Sequence, residues 1–131
     1  MRILAYHAII LPWVRLAAMW LFAPAVAVVA WGELSPTAPS LPGPWAWDKM
    51  DHFTAYFGLA ALGALGWRSR HSLAWVLFGV LGIGGSLECL QSWVGRDADW
   101  SDMAANSIGA LGGLAVATAY LAIPPTPSRD R

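Results

Sequence analysis

The chain has few charged residues, a single cysteine and no excess of charge of either sign. Only 12% of its 131 residues are charged, and eight basic residues balance eight acidic ones, so the formal net charge is zero. This balance offers no basic surface for nucleic acid, and we expect no nucleic-acid partner. Cys89 lies within an apolar run, and a lone cysteine excludes both an internal disulfide and a cysteine-based metal cluster.

Common nucleotide-binding, hydrolase and metalloprotease signatures are also missing. The sequence has no GxSxG, Walker, dinucleotide-binding or HExxH motif, and it has only three histidines. We therefore predict neither a cofactor nor a metal. One metal site stays open as an alternative, in which His52, Glu88 and an aspartate of the third loop are the ligands.

Hydrophobic residues are abundant, and they fall into four long runs. They make up 57% of the chain, which is too apolar for an ordinary soluble domain of this length. The runs cover residues 9–31, 52–67, 73–94 and 103–123, and each predicts a helix that crosses about 30 Å of hydrocarbon, the second being short. We predict an all-α, polytopic membrane protein, a four-transmembrane-helix bundle over residues 1–123 with a disordered cytoplasmic tail at 124–131.

The arginines near the runs predict the orientation of the bundle in the membrane. Positively charged residues favour the cytoplasmic side, and here they concentrate in the amino terminus, the second loop and the tail. Both termini are then cytoplasmic, and the loops at 32–51 and 95–101 face outward. In the alternative, the first run is a signal peptide cleaved after Ala30, which leaves three spans with the same orientation.

Polar residues occur at the predicted outward ends of the last three spans. Helical spacing brings several of them to one membrane depth, where a polar side chain is a candidate for function. They are His52, Glu88, Gln91, Asp102 and Asn106. Each also has a structural interpretation: the amides as interhelical hydrogen bonds, Glu88 as half of an ion pair with His52, Lys49 or Arg96, and Asp102 as an acid in the first turn of a helix capped by Asp99 or Ser101.

Small residues predict where helices pack closely. Gly109 and Gly113 belong to a four-residue repeat on the last span, and Gly82 with Ser86 gives a second such pair. The repeat fits packing within the bundle or against another copy equally well, so it leaves the oligomeric state open.

Read in order, the polar motifs resemble the VanZ-like family. They are Asp48-Lys49-x-x-His52 followed by Tyr56, then Glu88-x-x-Gln91, then Arg96 with Asp99, Asp102, Asn106 and Gly109. The resemblance covers residues 10–122 and implies a small polytopic membrane protein of the kind associated with resistance to teicoplanin. It also implies the candidate ligand-binding residues, which are Asp48, Lys49, His52, Tyr56, Glu88, Gln91, Arg96, Asp99, Asp102 and Asn106.

Three classes of function fit these observations. The favoured hypothesis is a membrane protein without enzymatic activity whose outward polar pocket binds a lipid-linked cell-envelope component or a lipoglycopeptide, with membrane lipids as further partners. In the second, Glu88 and His52 act as acid and base of a membrane-embedded enzyme. In the third, the bundle is a structural accessory protein.

Overall fold

A computed structural model describes residues 2–37, 48–67, 69–95 and 99–122, with the backbone alone for residues 2–10 and for Arg70. Four helices account for nearly all of this part of the chain: α1 (Arg2–Leu34), α2 (Asp48–Gly66), α3 (Arg70–Gln91) and α4 (Trp100–Ala122). The all-α prediction is confirmed for these residues. The predicted tail and most of the proline-rich first loop lie outside them.

Three of the four helices are long and apolar enough to cross a membrane. They are Leu11–Leu34 within α1, His71–Gln91 within α3 and Trp100–Ala122, which is α4. Their outer faces carry large apolar side chains such as Trp20 and Trp75, each 75% exposed, which lipid would cover. The prediction of a helical membrane protein is thus supported, whereas α2 is less apolar because Asp48, Lys49 and Asp51 occupy its first turn.

The helices extend further at the polar end of the bundle than the hydrophobic runs predict. We placed residues 32–51 in an outward loop, but α1 continues through Leu34 and α2 already begins at Asp48. That assignment is wrong at both ends, because an apolar run marks the buried length of a helix and not its hydrogen-bonded length. Pro36 lies just beyond the end of α1, where a proline commonly follows a helix.

Helix α2 lies among the other three helices and approaches α4 most closely. The buried core centres on Tyr56, Leu59 and Ala60 of α2, with Val80 of α3 and Ala110 of α4. These residues fill the interior of the bundle, while the polar groups described below lie at one end of it.

Two glycines of α4 set its distance from α2. A Cβ atom added to Gly109 would lie 2.3 Å from the Phe53 carbonyl oxygen, and one added to Gly113 would lie 2.1 Å from the Phe57 carbonyl oxygen. Both distances are too short for a carbon atom, so only glycine allows this backbone-to-backbone contact. The repeat on α4 therefore packs within the bundle.

The second predicted small-residue pair does not pack in this way. An added Cβ at Gly82 would have no neighbour within 4 Å, and the Ser86 hydroxyl donates to the Gly82 carbonyl of its own helix at 2.8 Å. Both residues lie on the exposed side of α3. The prediction is wrong because Gly84 and Glu88 turn inward, and residues two positions apart on a helix point in nearly opposite directions.

Candidate functional site

Polar side chains from all four helices meet at one end of the bundle, where α1 and α3 end and α2 and α4 begin. We call this group the polar cluster. Its members are Glu33, Asp48, Lys49, His52, Tyr56, Gln91, Asp102 and Asn106. The structure thus brings together most of the residues that the sequence nominated, and it adds Glu33.

His52 is at the centre of the polar cluster and is only 4% exposed. Its Nδ1 atom lies 3.0 Å from Asn106 Oδ1 and 3.5 Å from Glu33 Oε1. Its Nε2 atom lies 3.8 Å from Asp102 Oδ2 and 3.9 Å from Asp48 Oδ2. One ring nitrogen is thus held by an amide, while the other faces two carboxylates.

Asp48, His52 and Asp102 also satisfy the spacing of a metal site, since one ligand atom from each lies within 4.8 Å of the others. This trio differs from the alternative site considered above, because Glu88 is not a member. Asp102 also accepts from the Lys49 ammonium at 3.0 Å, so this carboxylate already has a positive partner. The described residues therefore explain the trio as an ion-pair network, and we assign no metal to it.

Glu33 is the residue that sequence reasoning missed. It is 8% exposed; its carboxylate accepts from the Tyr56 hydroxyl at 3.3 Å, and its backbone carbonyl accepts from Gln91 Nε2 at 3.2 Å. Glu33 thus ties α1 to α2 and α3. A helical signal for it exists, because Val26, Val29 and Glu33 share one face of α1 and the two valines pack against the core.

Lys49 connects α2 to the start of α4 rather than projecting freely toward a ligand. Its ammonium lies 3.0 Å from Asp102 Oδ1 and 3.2 Å from Asp99 Oδ2. The hydrogen bond with Asp102 is the main cause that raises the pKa of Lys49. Hydrogen bonds from Ser101, and then from Lys49, lower the pKa of Asp99 to about 2. Lys49 is thus a bridge between two carboxylates.

Asp99 also caps α4. Its Oδ1 atom accepts from the Ser101 backbone N–H at 2.8 Å, its other oxygen accepts from the Ser101 hydroxyl, and its carbonyl accepts from the Asp102 N–H at 2.9 Å. Of the two residues predicted to cap α4, Asp99 and Ser101, Asp99 is the one that accepts the backbone N–H at the start of the helix. Capping explains the position of Asp99. It does not explain why Asp102 is only 3% exposed, and the contacts of Asp102 with Lys49 and His52 account for that burial.

Asn106 and Tyr56 lie against Gly84 of α3. Both side chains are fully buried, and a Cβ added to Gly84 would lie 2.9 Å from Tyr56 Cε1 and 3.1 Å from Asn106 Nδ2. The glycine thus leaves room for a phenol and an amide at the same depth. Gly84, Glu88 and Gln91 share one face of α3, and all three are buried.

Glu88 stands apart from this network. It is 7% exposed, yet neither carboxylate oxygen has a hydrogen-bond partner, and no base within the described residues lies at ion-pair distance from it. The predicted ion pair with His52 or Lys49 is therefore absent. Arg96, the third base considered, lies outside the described residues.

Glu88 lines an open space between the end of α3 and the beginning of α4, which we call the α3–α4 cleft. The cleft has a volume of about 470 Å³. Its walls are formed by Gly85, Glu88, Cys89, Ser92, Asp99, Trp100 and Met103. A buried carboxylate without partners thus faces a space large enough for part of a ligand.

Comparison with known proteins adds no relative from which function could be transferred. No family model, no curated protein and no solved structure matches the chain. The functional argument therefore depends on the sequence motifs, the polar cluster and the α3–α4 cleft.

Proposed function

We propose that this chain is a VanZ-like protein of a bacterial cytoplasmic membrane that crosses the bilayer four times, with both termini in the cytoplasm. The closeness of α2 to α4 supports the fourth crossing, because α2 has its own apolar residues buried against the helices that are apolar enough to span. The distribution of arginines supports the orientation. The polar cluster then faces outward.

We further propose that the outward end of the bundle binds a lipid-linked cell-envelope component or a lipoglycopeptide. The observation that carries this proposal is the concentration of buried polar side chains at one end of an apolar bundle. They are Glu33, His52, Glu88, Gln91, Asp102 and Asn106. Interhelical hydrogen bonds in membranes contribute only about 0.6 kcal/mol on average, so stability alone is a weak reason to bury six polar groups together.

The test compares cells that carry Glu88→Ala with cells that carry Ser86→Ala. Ser86 lies two residues away on the exposed side of α3, and its hydroxyl bonds only within its own helix, so it is a matched control. We expect Glu88→Ala to lose the gene's phenotype, measured as survival on a lipoglycopeptide or as envelope integrity, at unchanged membrane abundance. Parent-like behaviour of Glu88→Ala at equal abundance would contradict a binding function.

Arg96→Ala extends this test to the third loop. The resemblance assigns this residue to the site, and an arginine there would meet a phosphate or carboxylate of the ligand. We expect the same loss of phenotype at unchanged abundance, scored beside Ser86→Ala. A parent-like Arg96→Ala would remove the anionic contact from the proposal while leaving the role of Glu88 in place.

An enzymatic function is the second candidate, and the environment of His52 is the observation that favours it. Asn106 orients the ring through Nδ1, and Nε2 points toward carboxylates, an arrangement that suits acid–base chemistry. Purified protein in nanodiscs would be incubated with lipid-linked envelope precursors, and products would be followed by mass spectrometry. An enzyme should lose all turnover in Glu88→Gln, whereas a binding protein should form no product and only bind less tightly.

The orientation has its own test, in which Cys89 is first replaced by alanine. Single cysteines are then introduced at Thr37, near the end of α1, and at Ser69, which precedes α3 at the opposite end of the bundle; both positions are exposed. We expect a membrane-impermeant maleimide to label position 37 but not position 69 in intact cells. Labelling at position 69 but not at position 37 would show that the protein has the opposite orientation.

A further inference from the structure

The α3–α4 cleft has a chemical character that specifies its ligand more closely. Among the described residues of its wall, the charged groups are Glu88 and Asp99, and both are acids. Asp99 has a pKa lowered to about 2 and is therefore ionised at neutral pH. Lys49, the base that contacts Asp99, also bridges to Asp102. The described wall of the cleft thus presents negative charge, which favours a cationic group against it.

Glu88 needs hydrogen-bond donors rather than mere proximity to charge. Neither carboxylate oxygen makes a hydrogen bond of good geometry, although the backbone of Asp99 lies near enough to act on the carboxylate. A buried acceptor that is left unsatisfied costs more than a typical hydrogen bond contributes. A primary ammonium group carries three N–H donors and a positive charge on one atom. It therefore supplies both of the properties that Glu88 lacks.

The rest of the cleft is apolar and runs along α3. Gly85 and Ser92 mark its two ends on that helix, about 10 Å apart at about 1.5 Å per residue. Cys89, Met103 and Trp100 contribute apolar surface. A cleft of this shape at the end of a membrane bundle suits a molecule whose polar head meets Glu88 and whose chain continues into lipid.

We propose that the α3–α4 cleft binds the primary ammonium head group of an amphiphile, with Glu88 accepting its hydrogen bonds and the apolar chain lying against Cys89, Trp100 and Met103. The proposal rests on the binding function proposed above, since it supplies the chemical class of the ligand. The ammonium has two possible sources, an aminophospholipid of the bilayer or a soluble amphiphilic amine, and the experiment separates them.

Cys89 provides the first readout, because it is the chain's single cysteine, is exposed and lines the cleft. The protein is placed in phosphatidylcholine nanodiscs, and the rate of Cys89 alkylation by a maleimide is measured against increasing dodecylammonium. We expect saturable protection. Dodecyl sulfate and dodecyltrimethylammonium have the same chain without the N–H donors, and we expect each to protect at least about tenfold less well, as for the loss of a charge-assisted hydrogen bond.

Three variants attribute the protection to the cleft. Glu88→Gln keeps the shape of the side chain and should weaken dodecylammonium protection at least about tenfold. Gly85→Leu should block the cleft without disturbing the fold, because a Cβ added there meets nothing within 4 Å. Gly82→Leu is its matched control on the exposed side of α3, where an added Cβ is equally unopposed, and it should bind like the parent.

A second readout avoids any effect of the variants on the reactivity of Cys89. Native mass spectrometry of protein released from nanodiscs of phosphatidylcholine with phosphatidylethanolamine or phosphatidylglycerol counts retained lipids directly. Preferential retention of phosphatidylethanolamine, lost in Glu88→Gln, identifies the bilayer as the source. Dodecylammonium protection without such retention identifies a soluble amine.

Two results would overturn the proposal: equal protection by the sulfate or trimethylammonium amphiphile, and an unchanged ammonium preference in Glu88→Gln. Either would leave the proposed binding function standing if Glu88→Ala still loses its phenotype in cells. Conversely, intact ammonium binding together with a parent-like Glu88→Ala phenotype would refute the cellular function and retain the ligand site.

Discussion

Replacing Gly113 with alanine tests whether the contact between α2 and α4 determines both stability and site geometry. The added methyl carbon would lie 2.1 Å from the Phe57 carbonyl oxygen, 2.9 Å from its carbonyl carbon and 3.1 Å from the Ala61 nitrogen. All three are backbone atoms that cannot rotate away. The helices must therefore separate, or α4 must bend.

The size of the displacement follows from these distances. A carbon atom rests against a carbonyl oxygen at about 3.3 Å, so the backbone must move by about 1.2 Å at this contact. Overpacking of this kind typically costs about 1–3 kcal/mol, and the greater helix propensity of alanine returns about 1 kcal/mol. A shift of that size carried along α4 would lengthen the 3.0 Å contact between His52 and Asn106 beyond hydrogen-bonding range.

The assay compares Gly113→Ala with Gly112→Ala by thermal unfolding in a mild detergent, followed by circular dichroism. An added Cβ at Gly112 comes no closer than 3.3 Å to Phe57 Cδ2, which belongs to a side chain that can yield. We expect Gly113→Ala to unfold at a lower temperature and to accumulate less in membranes, and Gly112→Ala to match or exceed the parent. Equal stability of the two variants would refute the steric argument.

Three further predictions concern single contacts. The Asp99 carboxylate, whose pKa is lowered from 3.8 to about 2, stabilises the fold above pH 3.8 and loses that contribution as the pH falls through 2. Asp99→Asn should therefore lose less stability than the parent between about pH 4 and pH 2. Thermal midpoints of both proteins over this pH range test the prediction. Tyr56→Phe should destabilise the bundle by about 1 kcal/mol by removing its hydrogen bond to Glu33, measured by thermal unfolding, and an unchanged midpoint would contradict it. Arg15→Gln should cost about 0.6 kcal/mol, the average for an interhelical hydrogen bond in a membrane, because it removes the bond from Arg15 Nε to the Gly66 carbonyl at the end of α2; a loss above about 1.7 kcal/mol would indicate a role beyond that bond.

The sequence predicted the helices and much of the polar cluster because both depend on local spacing. Hydrophobic runs reveal the buried length of each helix, and the i, i+4 relation of Asp48, His52 and Tyr56 held because α2 starts at Asp48. The close packing of α4 was likewise visible in the glycine repeat. What spacing could not show was the partner of that repeat, since a small-residue face looks the same whichever helix covers it.

Glu33 and Lys49 illustrate why the rest of the site was not predictable. Glu33 follows the first apolar run and was assigned to a loop, but a helix continues beyond hydrocarbon whenever its last carbonyls find donors, as the Gln91 amide provides here. Lys49 was expected to face a ligand, but two carboxylates from the start of α4 reach it first. Both outcomes depend on contacts between helices that lie far apart in the sequence.

Glu88 differs from the polar cluster in a way that separates function from packing. Within the cluster, several buried polar groups have hydrogen-bond partners on another helix: Asn106 faces His52, and the Glu33 carboxylate accepts from Tyr56, whereas Gln91 Oε1 has no partner. Hydrogen bonds of this kind offset part of the cost of burying these groups. Glu88 receives no such compensation from the described residues. Stability alone favours an apolar side chain of similar size at position 88, because a well-packed hydrophobic residue commonly outperforms an unpaired buried charge. Glu88 is therefore the position where an external partner, rather than the fold, best explains the residue.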